Sequence, residues 1–381
     1  MPQAQKRILF VVYELPPLGG GVARAASQLL REFSNQKNLQ IDVVTSSVQN
    51  EWGSTEFSKN ITLYSVPIGD KPPESYHSQT VDNMLRFTLN STKQIYTLLK
   101  HNNYSVAHYF GYPSALPGWL FKHTVPYIIS LRGVDVPGYN LKFGWYYKVY
   151  KPLSKLLWKS AQRVFVNSQK LQALAQQTLQ RTYQVIPNGV DTELFQPVPD
   201  NKKHPTFTVT AGGTIMGPKK GLQYLIEGFA AFHAKHADSQ LVLFGAGDLE
   251  EQLRALVAQL QLEQVVVFKG MVTADELAAK LPKCHVFCLP SLAEGMSNAT
   301  LEALACGLPI VITPVGGSDE LLANENGVLI EMGSPDRIAE ALEGLNVNNK
   351  QRMEMGRKSR ELALAYSWEQ AARKYREVWN N

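Results

Sequence analysis

Two acidic side chains stand eight positions apart in the segment EGMSNATLEALACG, residues 294 to 307: Glu294 and Glu302. Glu302 lies among leucine and alanine, where a buried carboxylate is costly unless it is hydrogen-bonded. At ~1.5 Å per helical residue the carboxylates are on the order of 10 Å apart, too far to act together on one bond. The separation suits two polyhydroxylated groups flanking a diphosphate, because a carboxylate accepts two hydroxyl hydrogen bonds at once. The alternative is an exposed helix glutamate and a capping glutamate with no ligand.

The same segment predicts a helix that Ser297 or Asn298 caps, that runs to Cys306, and that Gly307 stops. The N–H groups left free at its start form the positive end of a helix, which is a site for a phosphate. These N–H groups belong to Gly295, Met296 and Ser297.

Two glycine-rich turns are further phosphate candidates. In GGTIMGPKKGL, Lys219 or Lys220 could reach a phosphate as a point charge, although a solvated loop lysine is the simpler alternative. GGG at 19–21 is another anion-friendly turn between a strand and a helix. It lacks the G-x-G-x-x-G spacing because position 24 is Arg, and the next strand, IDVVTS, has no terminal acid. Both failures argue against a dinucleotide and a nucleotide-dependent oxidoreductase.

The cysteines indicate neither disulfides nor zinc. Cys284, Cys288 and Cys306 give no disulfide framework, which favours a reducing cytoplasm. His285 lies beside two of them without the paired spacing of a zinc site, and KCHVFCLPS is typical of a buried strand.

Short β-branched runs alternate with helical patterns in both halves of the chain, which is typical of parallel sheets with crossover helices. RILFVVYE, VARAASQLLREF and IDVVTS are a predicted strand, helix and strand. Prolines and glycines then interrupt the linker VIPNGVDTELFQPVPDNKKHP, and the alternation restarts at TFTVTAGG. With 381 residues, the chain is too long for one typical core and suits two domains.

We therefore predict an α/β fold of two Rossmann-like domains whose parallel sheets face a central cleft, since open sheets bind ligands at the carboxyl ends of their strands. Residues 1–195 form the first domain and residues 196–363 the second. Residues 364–381 form a helix that crosses back to the first domain, so that two segments of chain hinge the cleft.

Charge is divided unevenly along the chain. Residues 1–198 carry 20 Lys and Arg against 11 Asp and Glu, whereas residues 199–381 carry 18 against 22. This polarity indicates an anionic partner for the first half. No stretch approaches the roughly 18 apolar residues of a membrane span, so we expect a soluble or peripherally bound protein.

Residues 139–163 concentrate basic and aromatic side chains without an acid. Lysines recur there at helical spacing while leucines take another face, a pattern that favours an anionic membrane surface. The alternative is a core-facing helix with a solvated lysine face, and Pro152 should interrupt either helix. The residues concerned are Lys148, Lys151, Lys155 and Lys159, and Leu153, Leu156 and Leu157.

With these pieces in order, the chain resembles the family-four retaining glycosyltransferases of GT-B fold over nearly its whole length. CLPSLAEGMSNATLEALACGLPIVITPVGGSDELL is similar to that family's E-x7-E segment, followed by its turn at Gly316 and Gly317. Further segments match in the same order: GGGVARAASQLL, SLRGVDVPGY, VIPNGVDTELF, VLFGAGDLEEQL, VVFKGMV and YSWEQAA.

The resemblance implies roles for individual residues. Glu294 contacts the transferred sugar, Glu302 the ribose, and Lys220 with the amides of 295–297 holds the diphosphate. The backbone around Met271 and Val272 reads the base. The remaining residues assigned to substrate binding are Gly20, Gly21, Asp135 and Gly213.

Two departures affect this assignment. Gly213 stands where the family usually has Arg, and Arg132 stands where it commonly has His before Gly-x-Asp. Arg132 then supplies the missing cation or binds an acidic acceptor.

The implied activity is a retaining, metal-independent transfer of a hexose or N-acetylhexosamine from a nucleotide diphosphate sugar, with a UDP-sugar favoured. No D-x-D occurs, so we expect no metal or cofactor, and no nucleophile is well placed. The resemblance implies a front-face mechanism. The acceptor is a lipid-linked glycan or another cell-envelope or polysaccharide hydroxyl; nucleic acid is not an expected partner. The expected location is the cytoplasm, with peripheral contact to the inner membrane face through 139–163. The alternatives are a GT-B epimerase or phosphorylase and, more remotely, a non-enzymatic sugar-binding protein.

Overall fold

The computed structural model describes residues 5–34, 36–72, 75–76, 80–111, 114–139, 144–212, 218–323 and 325–380. The chain forms two compact units. Unit 1 comprises Met1–Pro187 and Trp368–Asn381, and unit 2 comprises Asn188–Ser367. The boundaries predicted from the sequence lie after residues 195 and 363, eight positions later and four positions earlier respectively than those of the two units.

Each unit is built on one sheet. The strands of the first sheet are β1 (Lys6–Val12), β2 (Leu39–Ser46), β3 (Gly53–Ser58), β4 (Ile61–Val66), β5 (Val106–Phe110), β6 (Tyr127–Ser130), β7 (Arg163–Val166) and β8 (Gln184–Val185). Those of the second are β9 (Phe207–Ala211), β10 (Ser239–Leu243), β11 (Val266–Phe268), β12 (Val286–Leu289), β13 (Ile310–Ile312) and β14 (Gly327–Leu329).

The described helices alternate with these strands. They are α1 (Gly21–Phe33), α2 (Val81–His101), α3 (Leu116–Leu120), α4 (Gly144–Ser160), α5 (Gln169–Gln176), α6 (Leu222–His233), α7 (Glu250–Gln259), α8 (Ala274–Lys280), α9 (Asn298–Ala305), α10 (Ser318–Leu321), α11 (Pro335–Val347), α12 (Asn349–Leu364) and α13 (Trp368–Asn380). None of the helices in the described ranges combines the length and the apolar composition that a bilayer span requires.

The strand order is β3-β4-β2-β1-β5-β6-β7-β8 in unit 1 and β11-β10-β9-β12-β13-β14 in unit 2. Every pair is parallel except β3 with β4, an antiparallel hairpin at the edge of the first sheet. Because parallel strands have their carboxyl ends at one edge, the loops that follow them gather at that edge.

Helices cover both faces of the first sheet. On one face, α1 and α13 pack together over β1: Phe33 and Trp379 have ring centroids 4.6 Å apart, and Tyr375 is almost fully buried. On the other face, Phe87 of α2, Leu157 of α4 and Leu171 of α5 enter one apolar cluster. The C-terminal helix is therefore an integral part of unit 1.

The expectation that Pro152 interrupts the helix of residues 139–163 is wrong. Helix α4 continues through Pro152 to Ser160. Proline has no N–H and removes one helical hydrogen bond, but Leu157 and Trp158 in the following turn are buried and hold that part of the helix against the sheet.

Candidate functional site

The candidate residues of unit 2 follow different strands of the second sheet and therefore share its carboxyl edge. Lys220 follows β9, Met271 follows β11, Glu294 follows β12 and Gly316 follows β13. In an open parallel sheet this edge is where ligands bind.

Glu294 and Lys220 form an ion pair. Lys220 Nζ donates to Glu294 Oε1, and the side chains are only 15% and 12% exposed for Lys220 and Glu294 respectively. The Ser291 hydroxyl donates to the same oxygen over 3.1 Å. A carboxylate with a cation and a hydroxyl on one oxygen is held in one orientation, and its charge is partly neutralised. Ser291 was not identified from the sequence.

Backbone contacts fix the loop of Lys220 against the loop of Glu294. Leu292 N donates to the carbonyl of Lys219 over 2.6 Å. Gly221 has a φ of +64°, and a Cβ there would lie 2.0 Å from the carbonyl oxygen of Pro290. Only glycine fits that close approach.

A third loop, the glycine pair after β13, closes on the other side of Glu294. Gly317 N donates to the carbonyl of Gly295 over 2.6 Å. Gly316 has a φ of +53°, and a Cβ there would lie 1.9 Å from the carbonyl oxygen of Glu294. The position of the Glu294 backbone thus depends on the absence of a side chain at 316.

Helix α9 begins as predicted, with Ser297 rather than Asn298 as the cap. The Ser297 hydroxyl accepts from Thr300 N over 3.2 Å. Within the described residues, the amides of Gly295, Met296 and Ser297 donate to no backbone carbonyl. The positive end of α9 therefore retains the free donors that a diphosphate requires.

Asn188, in the predicted linker, braces this helix start. Its Nδ2 donates to the carbonyl of Met296 over 3.2 Å and to Asn298 Oδ1 over 2.6 Å. This role of Asn188 was not identified from the sequence, because its partners lie more than 100 positions away in the chain.

Glu302 lies on α9 and is half-buried, while its neighbours Leu301 and Ala303 are fully buried. The helix thus turns its apolar side to the core and keeps the carboxylate at the surface boundary. At the sheet edge, Met271 is 50% exposed and Val272 is half-buried. Gly213 lies outside the described residues.

In unit 1, the glycine turn leads from β1 into α1. Gly20 occupies the N-cap position, no side chain caps the helix, and its first turn has no acid. Gly19 has a φ of +85°, and a Cβ there would meet the Glu14 carboxylate. Glu14 and Lys71 are both buried; burial lowers the pKa of Lys71, and the Glu14 carboxylate opposes that shift. Neither residue was identified from the sequence.

Arg132 and Asp135 form a turn after β6. The Asp135 carboxylate accepts from Arg132 N at 2.8 and 2.9 Å and from Gly133 N at 2.8 Å. Burial raises the pKa of Asp135 to about 6, although these amide bonds oppose the rise. The Arg132 guanidinium lies 4.2 Å from the centroid of the Phe110 ring, and burial lowers its pKa. Asp135 therefore acts on Arg132 by fixing the turn that carries it.

A buried polar chain lies beside this turn. His108 Nε2 is 2.7 Å from Ser130 Oγ, which donates to the hydroxyl of Tyr375 over 3.1 Å. Burial lowers the pKa of His108 to about 3, and the nearby Arg132 contributes. The imidazole is thus neutral at physiological pH.

The cysteine segment is a buried strand, as predicted from the sequence. Cys284, Cys288 and Cys306 are free and buried. His285 Nδ1 accepts from Thr208 N over 3.0 Å, which engages the ring in the backbone of β9. Across the residues that the structure describes, no group of three His, Cys, Asp or Glu has the arrangement of a metal site.

Comparisons with known families cover both units. Residues 19–194 match Glycosyltransferase Family 4, and residues 206–348 match Glycosyl transferases group 1.

Two curated relatives show how far the similarity extends. An uncharacterised glycosyltransferase of Methanocaldococcus jannaschii is 24% identical over 371 residues, which cover 95% of each chain. A GDP-mannose-dependent monoacylated alpha-(1-6)-phosphatidylinositol monomannoside mannosyltransferase of Corynebacterium glutamicum is 29% identical over 205 residues, covering 49% of this chain and 53% of that protein. The second match thus spans about half of the relative's length.

Solved structures resemble the whole chain. Sucrose-phosphate synthase from Thermosynechococcus elongatus superposes with a TM-score of 0.84 at 19% identity, covering 98% of each chain. HepE of Anabaena, in complex with UDP and glucose, superposes with a TM-score of 0.74 at 18% identity, covering 98% of this chain and 99% of that one. At these identities the likeness is one of fold, and the predicted α/β fold of GT-B type is confirmed.

Proposed function

We propose that the chain, which belongs to the family-four, group 1 glycosyltransferases of GT-B fold, transfers a hexose or N-acetylhexosamine from a nucleotide diphosphate sugar. The transfer retains the configuration at the anomeric carbon. The acceptor is a hydroxyl of a lipid-linked glycan or of another cell-envelope or polysaccharide chain. The observation that carries the proposal is the Lys220–Glu294 pair beside the start of α9, where three amides keep their donors available.

In this proposal Lys220 and the amides of 295–297 take the charge that develops on the leaving diphosphate. Preorganised N–H donors and a cation stabilise such charge without a metal, which suits a chain that lacks D-x-D. Glu302 accepts hydrogen bonds from the ribose hydroxyls, and the backbone at Met271 and Val272 contacts the base. The donor is a substrate, and the proposal requires no cofactor.

Glu294 orients the transferred sugar through Oε2, because Oε1 already receives Lys220 and Ser291. An ion-paired carboxylate is a weaker nucleophile than a free one. This supports a front-face reaction, in which the bond from the anomeric carbon to the diphosphate breaks as the acceptor oxygen bonds on the same side. The leaving phosphate then receives the proton of the acceptor hydroxyl.

Arg132 and the glycine turn at 20–21 are assigned to the substrates from unit 1. We assign Arg132, whose backbone turn Asp135 fixes, to an acidic acceptor or to the donor diphosphate. We assign Gly20 and Gly21, at the start of α1, to an anionic group, because the first turn of this helix carries no acid.

A UDP-sugar is the donor we propose. Two of the similar proteins differ in the nucleotide with which they are associated. HepE of Anabaena was crystallised with UDP and glucose, whereas the relative from Corynebacterium glutamicum is named for GDP-mannose. Thermal-shift measurements with UDP-, GDP- and ADP-sugars decide between the bases, since a ligand at 100 times its Kd stabilises by about 2.7 kcal/mol.

We also propose a cytoplasmic enzyme in peripheral contact with an anionic membrane through residues 139–163. Support comes from α4, where Lys151, Lys155 and Lys159 are exposed while Leu157 is buried. The apolar side of α4 thus packs on the core, and the proposed membrane contact rests on the attraction of the exposed lysines to anionic lipid, about 1 kcal/mol for each lysine.

The test of the proposed activity is transfer from labelled sugar nucleotides to glycan acceptors, with the anomeric configuration of the product read by NMR. We expect an α-linked product from an α-linked donor, and activity that EDTA leaves unchanged. An inverted product contradicts the front-face reaction. Conversion of the sugar nucleotide without an acceptor indicates an epimerase, and a strict need for inorganic phosphate indicates a phosphorylase.

A further inference from the structure

Helix α2 turns apolar side chains towards solvent. Val81, Leu85 and Leu89, at four-residue steps, are 64%, 59% and 70% exposed, and Tyr96 continues the line at 50%. Ser91, on the opposite side, is fully buried. A helix on the surface of a globular protein normally buries its apolar stripe, so a line of exposed apolar side chains marks a surface that contacts something else. We call Val81, Leu85, Leu89 and Tyr96 the apolar ridge.

Cations accompany the ridge. Lys93 Nζ lies 5.4 Å from the centroid of the Trp52 ring, and Lys100 Nζ lies 4.5 Å from that of Tyr96. The one acidic residue in the sequence of α2, Asp82, is paired with Arg86 over 2.7 Å. The surface around the ridge thus combines aromatic rings and lysines, which together suit the boundary between lipid headgroups and acyl chains.

The exposed lysines of α4 belong to the same side of unit 1. Phe87 of α2 and Leu157 of α4 enter one apolar cluster on one face of the first sheet, so the outer sides of both helices point away from that face. Helix α3 lies in contact with both. Its Leu120 is 49% exposed, and Leu156 of α4 is 43% exposed among the lysines. The ridge and the α4 lysines therefore lie on the same face of unit 1.

We propose that this face docks on an anionic phospholipid bilayer, with the apolar ridge of α2 entering the acyl boundary and the lysines of α2 and α4 contacting lipid phosphates. A second copy of the chain is a poorer occupant, because pairing this face with itself would set lysine against lysine. The inference deepens the proposed function by assigning the lipid surface to a specific helix, but the binding requires neither donor nor acceptor.

Sedimentation of the full-length protein with vesicles tests the proposal. The vesicles are phosphatidylcholine alone or phosphatidylcholine with phosphatidylglycerol, each at low and high salt. We expect binding to the phosphatidylglycerol vesicles that weakens at high salt, since the lysine contribution is screened. The double variant L85S/L89S should lose roughly 100-fold in apparent vesicle affinity, about tenfold for each leucine withdrawn from the acyl boundary.

The matched control is V347S/L364S, which removes two apolar side chains that are 73% and 51% exposed on unit 2. It should bind vesicles like the wild type. Circular dichroism and donor binding monitor folding in all variants. Loss of vesicle binding with intact donor binding therefore assigns the vesicle contact to the apolar ridge.

Three results overturn the inference: no vesicle binding by the wild type in any condition, equal binding by L85S/L89S and the wild type, or a wild-type oligomer that L85S/L89S converts to a monomer. A protein that binds vesicles but transfers no sugar contradicts the proposed function and leaves this inference standing.

Discussion

Gly316→Ala isolates the contact that sets the position of Glu294. A methyl group at 316 would lie 1.9 Å from the carbonyl oxygen of Glu294 and 2.5 Å from that of Gly295. Reaching ordinary contact near 3.4 Å requires these groups to retreat by roughly 1.5 Å, and a displacement of about 1 Å at a reacting group costs on the order of 100-fold in rate. We therefore expect Gly316→Ala to lower kcat at least about 100-fold.

The substitution also carries a backbone cost that needs its own control. A residue with a Cβ at a positive φ costs about 1–2 kcal/mol, and Gly316 has a φ of +53°. Gly333 has a φ of +68°, but a Cβ there would meet only the ring of Tyr224 at 3.5 Å, an ordinary contact. Gly333→Ala should therefore lose about 1–2 kcal/mol of unfolding free energy and keep full turnover.

Urea denaturation and initial rates of nucleotide release from the sugar nucleotide, measured on the two variants and the wild type, separate these effects. If Gly316→Ala retains turnover within about threefold of Gly333→Ala, the packing of Gly316 does not determine where Glu294 acts.

Three further perturbations test separate parts of the structure. Lys220→Ala should reduce kcat/KM by roughly 100- to 1,000-fold, because the leaving diphosphate loses its cation. Lys220→Arg keeps the positive charge and should lose less. Initial rates that fall equally for both variants would contradict a role for the charge. Asn188→Asp keeps the shape of the side chain but removes the Nδ2 donors to Met296 O and Asn298 Oδ1. Urea denaturation should therefore show a loss of about 1–3 kcal/mol in unfolding free energy. An unchanged midpoint would contradict the role of Asn188 in holding the start of α9. His108 is neutral in the folded state, because its pKa is lowered to about 3 against 6.5 for the free group. Its contribution to stability is therefore full above pH 6.5 and falls by about 1.4 kcal/mol per pH unit as the pH drops towards 3. In urea titrations His108→Gln should lose less stability than the wild type between pH 6.5 and pH 3.

The core elements of both units follow from patterns that depend only on neighbouring residues. Strands β1 and β12 are short apolar runs, and α9 has a cap residue, an apolar face and a terminal glycine. Helix α2 was missed because its apolar residues lie on two sides. Leu85 and Leu89 face solvent, whereas the buried side combines Phe87 with the polar Ser91, so the apolar periodicity does not mark the side that packs on the sheet. The edge strand β3, GSTEFS, is polar and mostly exposed, which removes the signal of a strand.

Part of the candidate site depends on contacts that no local pattern contains. The start of α9 was predictable because cap, helix and glycine stop are adjacent in the chain. The Lys220–Glu294 pair joins residues 74 positions apart, and the brace from Asn188 to Met296 joins residues 108 positions apart. Sequence reasoning assigned Lys220 and Glu294 to separate parts of a ligand, whereas the structure pairs them directly. The electrostatic interaction between the buried Glu14 and Lys71 depends likewise on how β1 and the segment after β4 lie in unit 1.

The most direct test of the central claim is calorimetric titration of a nucleotide diphosphate sugar into the wild type, Glu302→Ala and Glu302→Gln, with Glu361→Ala as an exposed control. We expect Glu302→Ala to weaken donor binding by about 2–4 kcal/mol, or roughly 30- to 1,000-fold in Kd. Glu302→Gln should lose less, because one acceptor oxygen remains for the ribose, and Glu361→Ala should bind like the wild type. If donor binding is unchanged in both Glu302 variants, the assignment of this carboxylate to the ribose is contradicted. If no UDP-, GDP- or ADP-sugar binds the wild type, a nucleotide-sugar site at the carboxyl edge of the second sheet is contradicted.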